Sequence, residues 1–244
     1  MRPLAAAGTP ARRRLAPEAM DGPLPYGEAR RALRDLDRVN RWLLGVAAAR
    51  RVLAPRLARA AAGGDRSRPV RLLDLGTGSG TLVQLAVRRG GPGGTPVRVV
   101  GVDRRLTHLA VGRSLEPAPE GPRQLRVAAS VDALPFRDGA FDWTFSNLLF
   151  HHFDEEDNRR VLVEMRRCAW RGAVVVDLRR SRLALVLARA FFPLLALGRV
   201  ARGDGVLSIR QSWTVEEIRA FTREHPKLEL RRRFPFRWSL VLRA

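Results

Sequence analysis

The 244-residue chain contains one cysteine, Cys168, and one lysine, Lys227. A lone cysteine excludes an intramolecular disulfide. No Cys/His spacing of the zinc type occurs, so no metal site is expected. Residues 1–20 carry arginines in their middle, prolines and no apolar centre, which does not fit a secretory signal; a reducing cytoplasm is the expected compartment. Long apolar runs are also missing. The greasiest stretch, Leu183–Val200, is broken by Arg189, Pro193 and Gly198, and it falls short of the ~20 apolar residues a spanning helix needs. Negative charge is scarce: 24 Asp and Glu face 45 Lys and Arg, for a net charge of +21. Such basicity attracts phosphates and anionic lipid without specifying either. An arginine excess scattered beside many Ala, Gly and Pro reads as the product of a GC-rich genome, so nucleic acid is not the expected partner.

What the chain does have is centred on Leu72-Leu73-Asp74-Leu75-Gly76-Thr77-Gly78-Ser79-Gly80. A short apolar run ends in a carboxylate and passes into glycines at alternate positions. A helix-compatible stretch follows over 81–89, with Leu82, Leu85 and Ala86 on one face. Strand, glycine turn and helix form the unit that sets backbone N–H groups and a helix N-terminus beneath a ligand. Glycine there allows φ > 0 and close backbone approach. The nicotinamide fingerprint G-x-G-x-x-G does not fit, because the third glycine comes one position early.

An acidic residue two before the first glycine of G-x-G-x-G resembles motif I of the class I S-adenosylmethionine-dependent methyltransferases. The rest of the chain supports this likeness. Residues 1–24 are Ala/Pro/Arg/Gly-rich and aperiodic and are expected to form a disordered tail, with a single domain over 25–244. Within 25–66 an amphipathic helix is expected over 28–46, then a second over 47–62 interrupted near Pro55. Strands are expected at 70–75, 97–102, 125–129, 141–146 and 173–178, alternating with helices at 81–89, 105–114 and 154–168. Loops rich in Gly and Pro fall at 90–96 and around Pro117, Pro119 and Pro122, and a short helix at 131–134. Asp154 is the expected cap of the helix that begins with Glu155, Glu156 and Asp157. Alternation of this kind means a parallel sheet covered on both faces. Thr214 and Glu217 form a capping box, ahead of two strands, 228–233 and 236–242, joined near Pro235. The expected fold is α/β: a Rossmann-like doubly wound sheet of seven strands, the last antiparallel, with helices on both faces. An N-terminal helical lid and a helical lid insertion, 179–212, after strand five complete it.

The resemblance implies S-adenosyl-L-methionine as cofactor and assigns roles by position. Asp74 and the backbone of Gly76, Thr77, Gly78 and Gly80 hold the methionine end. Asp103 lies 23 residues after Gly80 at the end of the second strand and is placed on the ribose, with a helix N-cap as its alternative. Arg104 flanks the adenine. Ser130-Val131-Asp132-Ala133-Leu134-Pro135-Phe136 resembles the family's adenine-binding stretch, with Asp132 and Ala133 as the contacts. Ser146 and Asn147, at the end of strand four, are placed near the methionine end, while Asp142 is expected to be structural. His152 and, second to it, His151 are the candidate catalytic residues, able to take a proton from a phenolic or carboxylic oxygen. No Asn/Asp-Pro-Pro-aromatic stretch follows strand four, which argues against a nucleobase-amine substrate.

Leu33, Leu36, Asn40 and Trp42 in the front helix, with the apolar insertion, resemble methyltransferases encoded beside bacterial polyketide synthases. The expected reaction is therefore methyl transfer to oxygen, or second to it carbon, of a lipophilic small molecule. Leu187, Phe191, Phe192 and Trp213 are expected to line its pocket, and 183–200 is a candidate for peripheral membrane contact. The alternatives kept open are an RNA methyltransferase, a quinone-biosynthesis C-methyltransferase and a non-catalytic binding protein. Oligomeric state is not legible.

Overall fold

The computed structural model describes residues 13–63, 68–87, 96–116 and 124–243. The expected loops at 90–95 and at Pro117, Pro119 and Pro122 lie outside the described residues. Seven strands form one sheet: β1 (Val70–Leu75), β2 (Val97–Asp103), β3 (Leu125–Ala128), β4 (Trp143–Asn147), β5 (Gly172–Leu178), β6 (Leu228–Arg233) and β7 (Arg237–Arg243). Their order is β3-β2-β1-β4-β5-β7-β6. The first five are parallel, and β7 runs antiparallel to both β5 and β6.

Side chains on a strand alternate between faces, and here each face buries its own apolar set. Leu73, Leu75, Ala173 and Val175 point to one side, where Val161, Leu162 and Met165 of α5 (Glu155–Cys168) and Ile218 and Phe221 of α8 (Val215–Arg223) cover them. Leu72, Phe145, Val174 and Val176 point to the other, beneath α2 (Gly45–Ala62) and α3 (Thr81–Val87). Asp154 caps α5 by accepting from Asp157 N at 2.8 Å, and Thr214 and Glu217 make the reciprocal box at the start of α8.

Several expectations change. The tail expected over 1–24 is ordered from Arg13 on: residues 13–24 lie against the domain as a strap, with a 3₁₀ turn at Ala19–Asp21 and Glu18 buried. Residues 1–12 lie outside the described residues. Helix α1 (Tyr26–Trp42) stops at Leu43, and left-handed Leu44 (φ 57°) separates it from α2. Pro55 does not interrupt α2, because Val52, Leu53, Leu57 and Ala60 around it are all buried on the sheet, and packing outweighs propensity. Residues 131–134 form turns, not a helix. Their backbone bonds go outward instead, Leu134 N to Glu164 at 2.9 Å and Leu134 O to Arg167 at 3.0 Å. The 179–212 insertion is two helices, α6 (Arg182–Phe191) and α7 (Arg199–Gln211), joined through a 3₁₀ turn at Phe192–Leu195. Helix α4 (Leu106–Leu115) follows β2.

The order of strand addition reverses between the parallel neighbours β1 and β4, since β1 leads outward to β2 and β3 on one side while β4 leads to β5 on the other. Doubly wound sheets bind ligands at this switch, outside the carboxyl ends of the strands.

Candidate active site

A cavity of about 700 Å³ opens at that switch point. Its floor is the turn after β1. Gly76 and Gly78 take positive φ (66° and 54°), and Thr77 N donates to Val102 O at 2.9 Å, clamping the turn to β2. Thr77 Oγ1 donates to Asp74 Oδ2 at 2.6 Å. Asp74, Gly76, Thr77 and Gly78 all border the cavity. Gly80, also expected at the cofactor, does not border it, and what it spares is a close packing contact. A Cβ there would stand 2.1 Å from Gln124 Oε1 and 2.8 Å from an Arg126 nitrogen. Burial pushes the Asp74 carboxyl up to about 7; Thr77's hydrogen bond opposes this and the charge of Asp103 adds to it.

Asp103 ends β2 at the cavity wall, accepting from Gly78 N at 3.0 Å and Arg105 N at 2.8 Å. It thus bridges the glycine turn to the entry of α4, whose N-cap is Arg105 and not Asp103. Arg104 borders the cavity and donates to Asp21 of the strap at 3.1 Å. Asp132 borders it too, with Ser130 Oγ donating to its carboxylate. Ala133 is not among the residues bordering it. At the end of β4, Asn147 reaches the cavity but Ser146 does not; Ser146 is fully buried within the sheet. Asp142 is structural as expected, accepting from Arg71 N at 2.8 Å and Trp170 Nε1 at 3.1 Å.

The roof is the N-terminal helical lid expected from the sequence, with the strap added to it. Helix α1 turns Leu33, Leu36 and Val39 into the cavity, and its Asp37 accepts from Ser79 Oγ at 2.9 Å, joining roof to floor. The strap adds Leu15, Glu18 and Asp21. It is fastened by Arg13, whose Nε donates to Gln211 O at 2.6 Å, whose Nη2 donates to the Phe153 and His151 carbonyls, and whose guanidinium stacks on Trp213. Asp204 of α7 accepts from Ala19 N at 2.8 Å and Met20 N at 2.9 Å. From the insertion, Phe192, Ala201, Gly205 and Ser208 line the cavity. Leu187, Phe191 and Trp213 do not: Phe191 is exposed and Trp213 belongs to the core. The apolar composition of the insertion pointed to a lid but not to which of its faces turns inward.

The two histidines stand at the far end, on the 3₁₀ turn Phe150–His152. His151 is buried, its Nδ1 2.8 Å from Asp177 Oδ1 and its backbone N donating to Asp177 Oδ2 at 3.1 Å. Burial penalises its cation, but the charges and hydrogen bonds of Asp177 and Glu18 outweigh that and push its pKa up to about 10. A ring that keeps its proton to that range stays charged at neutral pH, unlike the proton acceptor expected of His151. His152 borders the cavity with Nδ1 3.0 Å from Asp21 Oδ2. Burial works against the Asp21 charge, yet His152 and Arg104 hold its carboxyl down at about 2.

Residues 72–172 match the family described as methyltransferase domain. The matched stretch holds the glycine turn, and the fold around it is the Rossmann-like one. The chain is 40% identical over 78 residues to the ubiquinone/menaquinone biosynthesis C-methyltransferase UbiE of Methylobacterium nodulans, a stretch covering 32% of this chain and 30% of that one. Among solved structures it resembles the plantazolicin methyltransferase BpumL in complex with SAH (TM-score 0.55, 10% identity, 89% and 95% of the two chains covered). It also resembles magnesium protoporphyrin IX methyltransferase (ChlM) from Synechocystis PCC 6803 with bound SAH (TM-score 0.51, 16% identity, 80% and 83% covered). At such identities the structural likeness speaks for the fold.

The residues present fit the cofactor. Asn147 Oδ1 is buried without a hydrogen-bond partner among the described residues, at a strand end that borders the cavity. Asp74 and Asp103 offer carboxylates on the same cavity, one at the turn and one at the end of β2. The cavity's size lies within the range of about 300–1,000 Å³ usual for small-molecule sites.

Proposed function

We propose that the protein transfers a methyl group to an oxygen of a lipophilic small molecule, phenolic or polyketide-derived. When bound, S-adenosylmethionine supplies an electrophilic methyl group on a sulfonium. Asp74 and Asn147 then meet the ammonium end, Asp103 the ribose, and Asp132 the adenine amino group. These carboxylates fix the cofactor's orientation, and orientation in line with a nucleophile supplies most of what methyl transfer needs.

The observation that carries the reading is the division of the cavity. The floor carries Asp74, Gly78 and Asp103, while α1 and the insertion bring Leu33, Leu36, Val39 and Phe192 beside the polar Asn40, Asp204 and Ser208, with Glu18 and His152 together in one corner. A greasy ring system fits beneath the roof with a single oxygen in that corner. Carbon as acceptor is the second reading, supported by the stretch shared with a C-methyltransferase. The test is mass spectrometry of cell extract incubated with the protein and deuteromethyl-labelled cofactor. The expected product is an apolar small molecule carrying three deuteriums on oxygen. Label found only in RNA would overturn the proposal.

The outer side of the insertion bears on how such an acceptor arrives. Leu183, Val186, Phe191 and Leu194 are exposed, and among the described residues no helix is long and apolar enough to cross a membrane. We propose that this face touches lipid surfaces peripherally. Sedimentation with vesicles containing phosphatidylglycerol should carry the protein down, and Val186→Asp with Leu194→Asp should reduce the bound fraction. Equal sedimentation of that double variant would remove the idea.

A further inference from the structure

Glu18, His151 and His152 bring three ligand-type atoms within 4.8 Å of one another. His151 Nε2 stands 3.4 Å from Glu18 Oε1, and His152 Nε2 stands 3.9 Å from Glu18 Oε2. Metal–ligand bonds of about 2.0–2.2 Å place neighbouring ligands of a tetrahedral zinc about 3.4 Å apart; the His151–Glu18 separation matches this, and the His152 separation, to the other carboxylate oxygen, is somewhat longer. His151 Nε2 is buried, and the group that faces it is the Glu18 carboxylate at 3.4 Å.

The surroundings fit as well. Ligating histidines almost always offer their second nitrogen to a carboxylate or carbonyl, which fixes the ring. Both rings do so here, His151 Nδ1 to Asp177 at 2.8 Å and His152 Nδ1 to Asp21 at 3.0 Å. Glu18 is fixed in turn, accepting from Ser208 Oγ at 2.6 Å and Gln211 Nε2 at 2.8 Å. The ring centroids lie only 4.2 Å apart. Two imidazoles converge on one carboxylate, and a metal there would take the place of the proton that His151 holds.

We propose that Glu18, His151 and His152 bind a divalent transition metal of the zinc class, with its open positions turned into the cavity. Two imidazoles and a carboxylate suit zinc, iron(II) or cobalt(II) better than magnesium or calcium, which favour oxygen ligands throughout. All three side chains border the cavity, so the remaining positions can take a ligand from within it. The role of the site rests on the methyl-transfer reading: the acceptor oxygen takes an open position and releases its proton to solvent more readily there. Ligation then replaces the proton-accepting role expected of His152. Cysteine and histidine spacing could not show the site, because Glu18 lies well over a hundred residues ahead of the histidine pair.

The test uses the full chain without an affinity tag, incubated with Zn²⁺, dialysed and measured for bound metal, then titrated with Co²⁺ and followed by its visible absorption. One equivalent of zinc and a cobalt spectrum of low coordination number are expected. Both should be lost in His152→Ala and in Glu18→Gln and kept in His225→Ala, with circular dichroism checking that each variant is folded. Asp21→Asn should weaken zinc binding by about 10- to 100-fold. Substoichiometric zinc in the parent chain, or unchanged binding in folded His152→Ala, would overturn the site and leave an ion-paired clasp. These readouts do not depend on methyl transfer. A metal-loaded chain that methylates nothing keeps the site and loses its role, whereas a metal-free chain with full activity loses the site and keeps the function.

Discussion

The two ends of the cavity are built by different means. On the cofactor side, Asp74, Gly76, Gly78, Asp103 and Asn147 sit at the ends of three neighbouring strands or in the turn just after one of them. Local backbone geometry places them, and the glycine turn is held by main-chain and carboxylate bonds such as Gly78 N to Asp103. On the acceptor side, the strap, the histidine turn and α7 meet across 198 residues at Arg13–Gln211 and 190 at Glu18–Ser208. Nothing local holds them; side chains matched across the chain do. The cofactor end should therefore tolerate injury to the acceptor end, and the reverse should fail only where the shared wall at Arg104 and Asp21 is touched.

The largest effect expected within this contrast comes from Asp103→Ala. It removes a buried carboxylate that holds the glycine turn and faces the cavity, and hydrogen bonds to charged groups are worth about 1.5–3 kcal/mol. Cofactor affinity measured by calorimetry should fall about 10- to 100-fold. An unchanged affinity would mean that the floor is not the cofactor side.

Arg13→Ala is the matching injury at the other end. Loss of its bonds to the Gln211, His151 and Phe153 carbonyls should loosen the strap by about 1–2 kcal/mol. Hydrogen exchange at residues 14–21 should then speed up by about tenfold, while cofactor affinity changes by less than about threefold. If cofactor affinity falls as far as in Asp103→Ala, the two ends are one unit and the comparison is broken.

The smallest effect is graded with pH. Burial holds the Asp74 carboxyl at about 7, and its anion is the form that attracts an ammonium. As pH falls through that value the carboxyl takes up a proton, the attraction is lost, and cofactor affinity should decline toward a limit of about tenfold per pH unit. Asp74→Asn should bind weakly and flatten this dependence, which titration calorimetry in matched buffers would show. A profile that keeps its slope in Asp74→Asn would assign it to another group.

How much of this was legible follows the same divide. The strands at 70–75 and 228–233, the Asp154 cap and the Thr214–Glu217 box were readable because each rests on neighbours in sequence. Asp74, Asp103 and Asn147 were readable because strand ends impose their positions. Gly80 stands off the cavity, and the neighbour it spares, Gln124, sits beside it only in the folded sheet. Ser146 and Asn147 part by one residue of strand alternation, Asn147 toward the cavity and Ser146 into the sheet. Residues 13–24 read as disordered because composition carries no record of partners. Their two carboxylates, Glu18 and Asp21, were the available clue, as the first acidic residues in an arginine-rich stretch. His151 and His152 were found as a pair, but the carboxylates that separate their behaviour come from β5 and the strap.

Asp204 grips the strap by the main-chain N–H groups of Ala19 and Met20 rather than by their side chains. The latch is therefore blind to which amino acids occupy those two positions, proline excepted. Met20 borders the cavity, so its side chain can be exchanged to reshape the chamber for a different guest while the door still fastens.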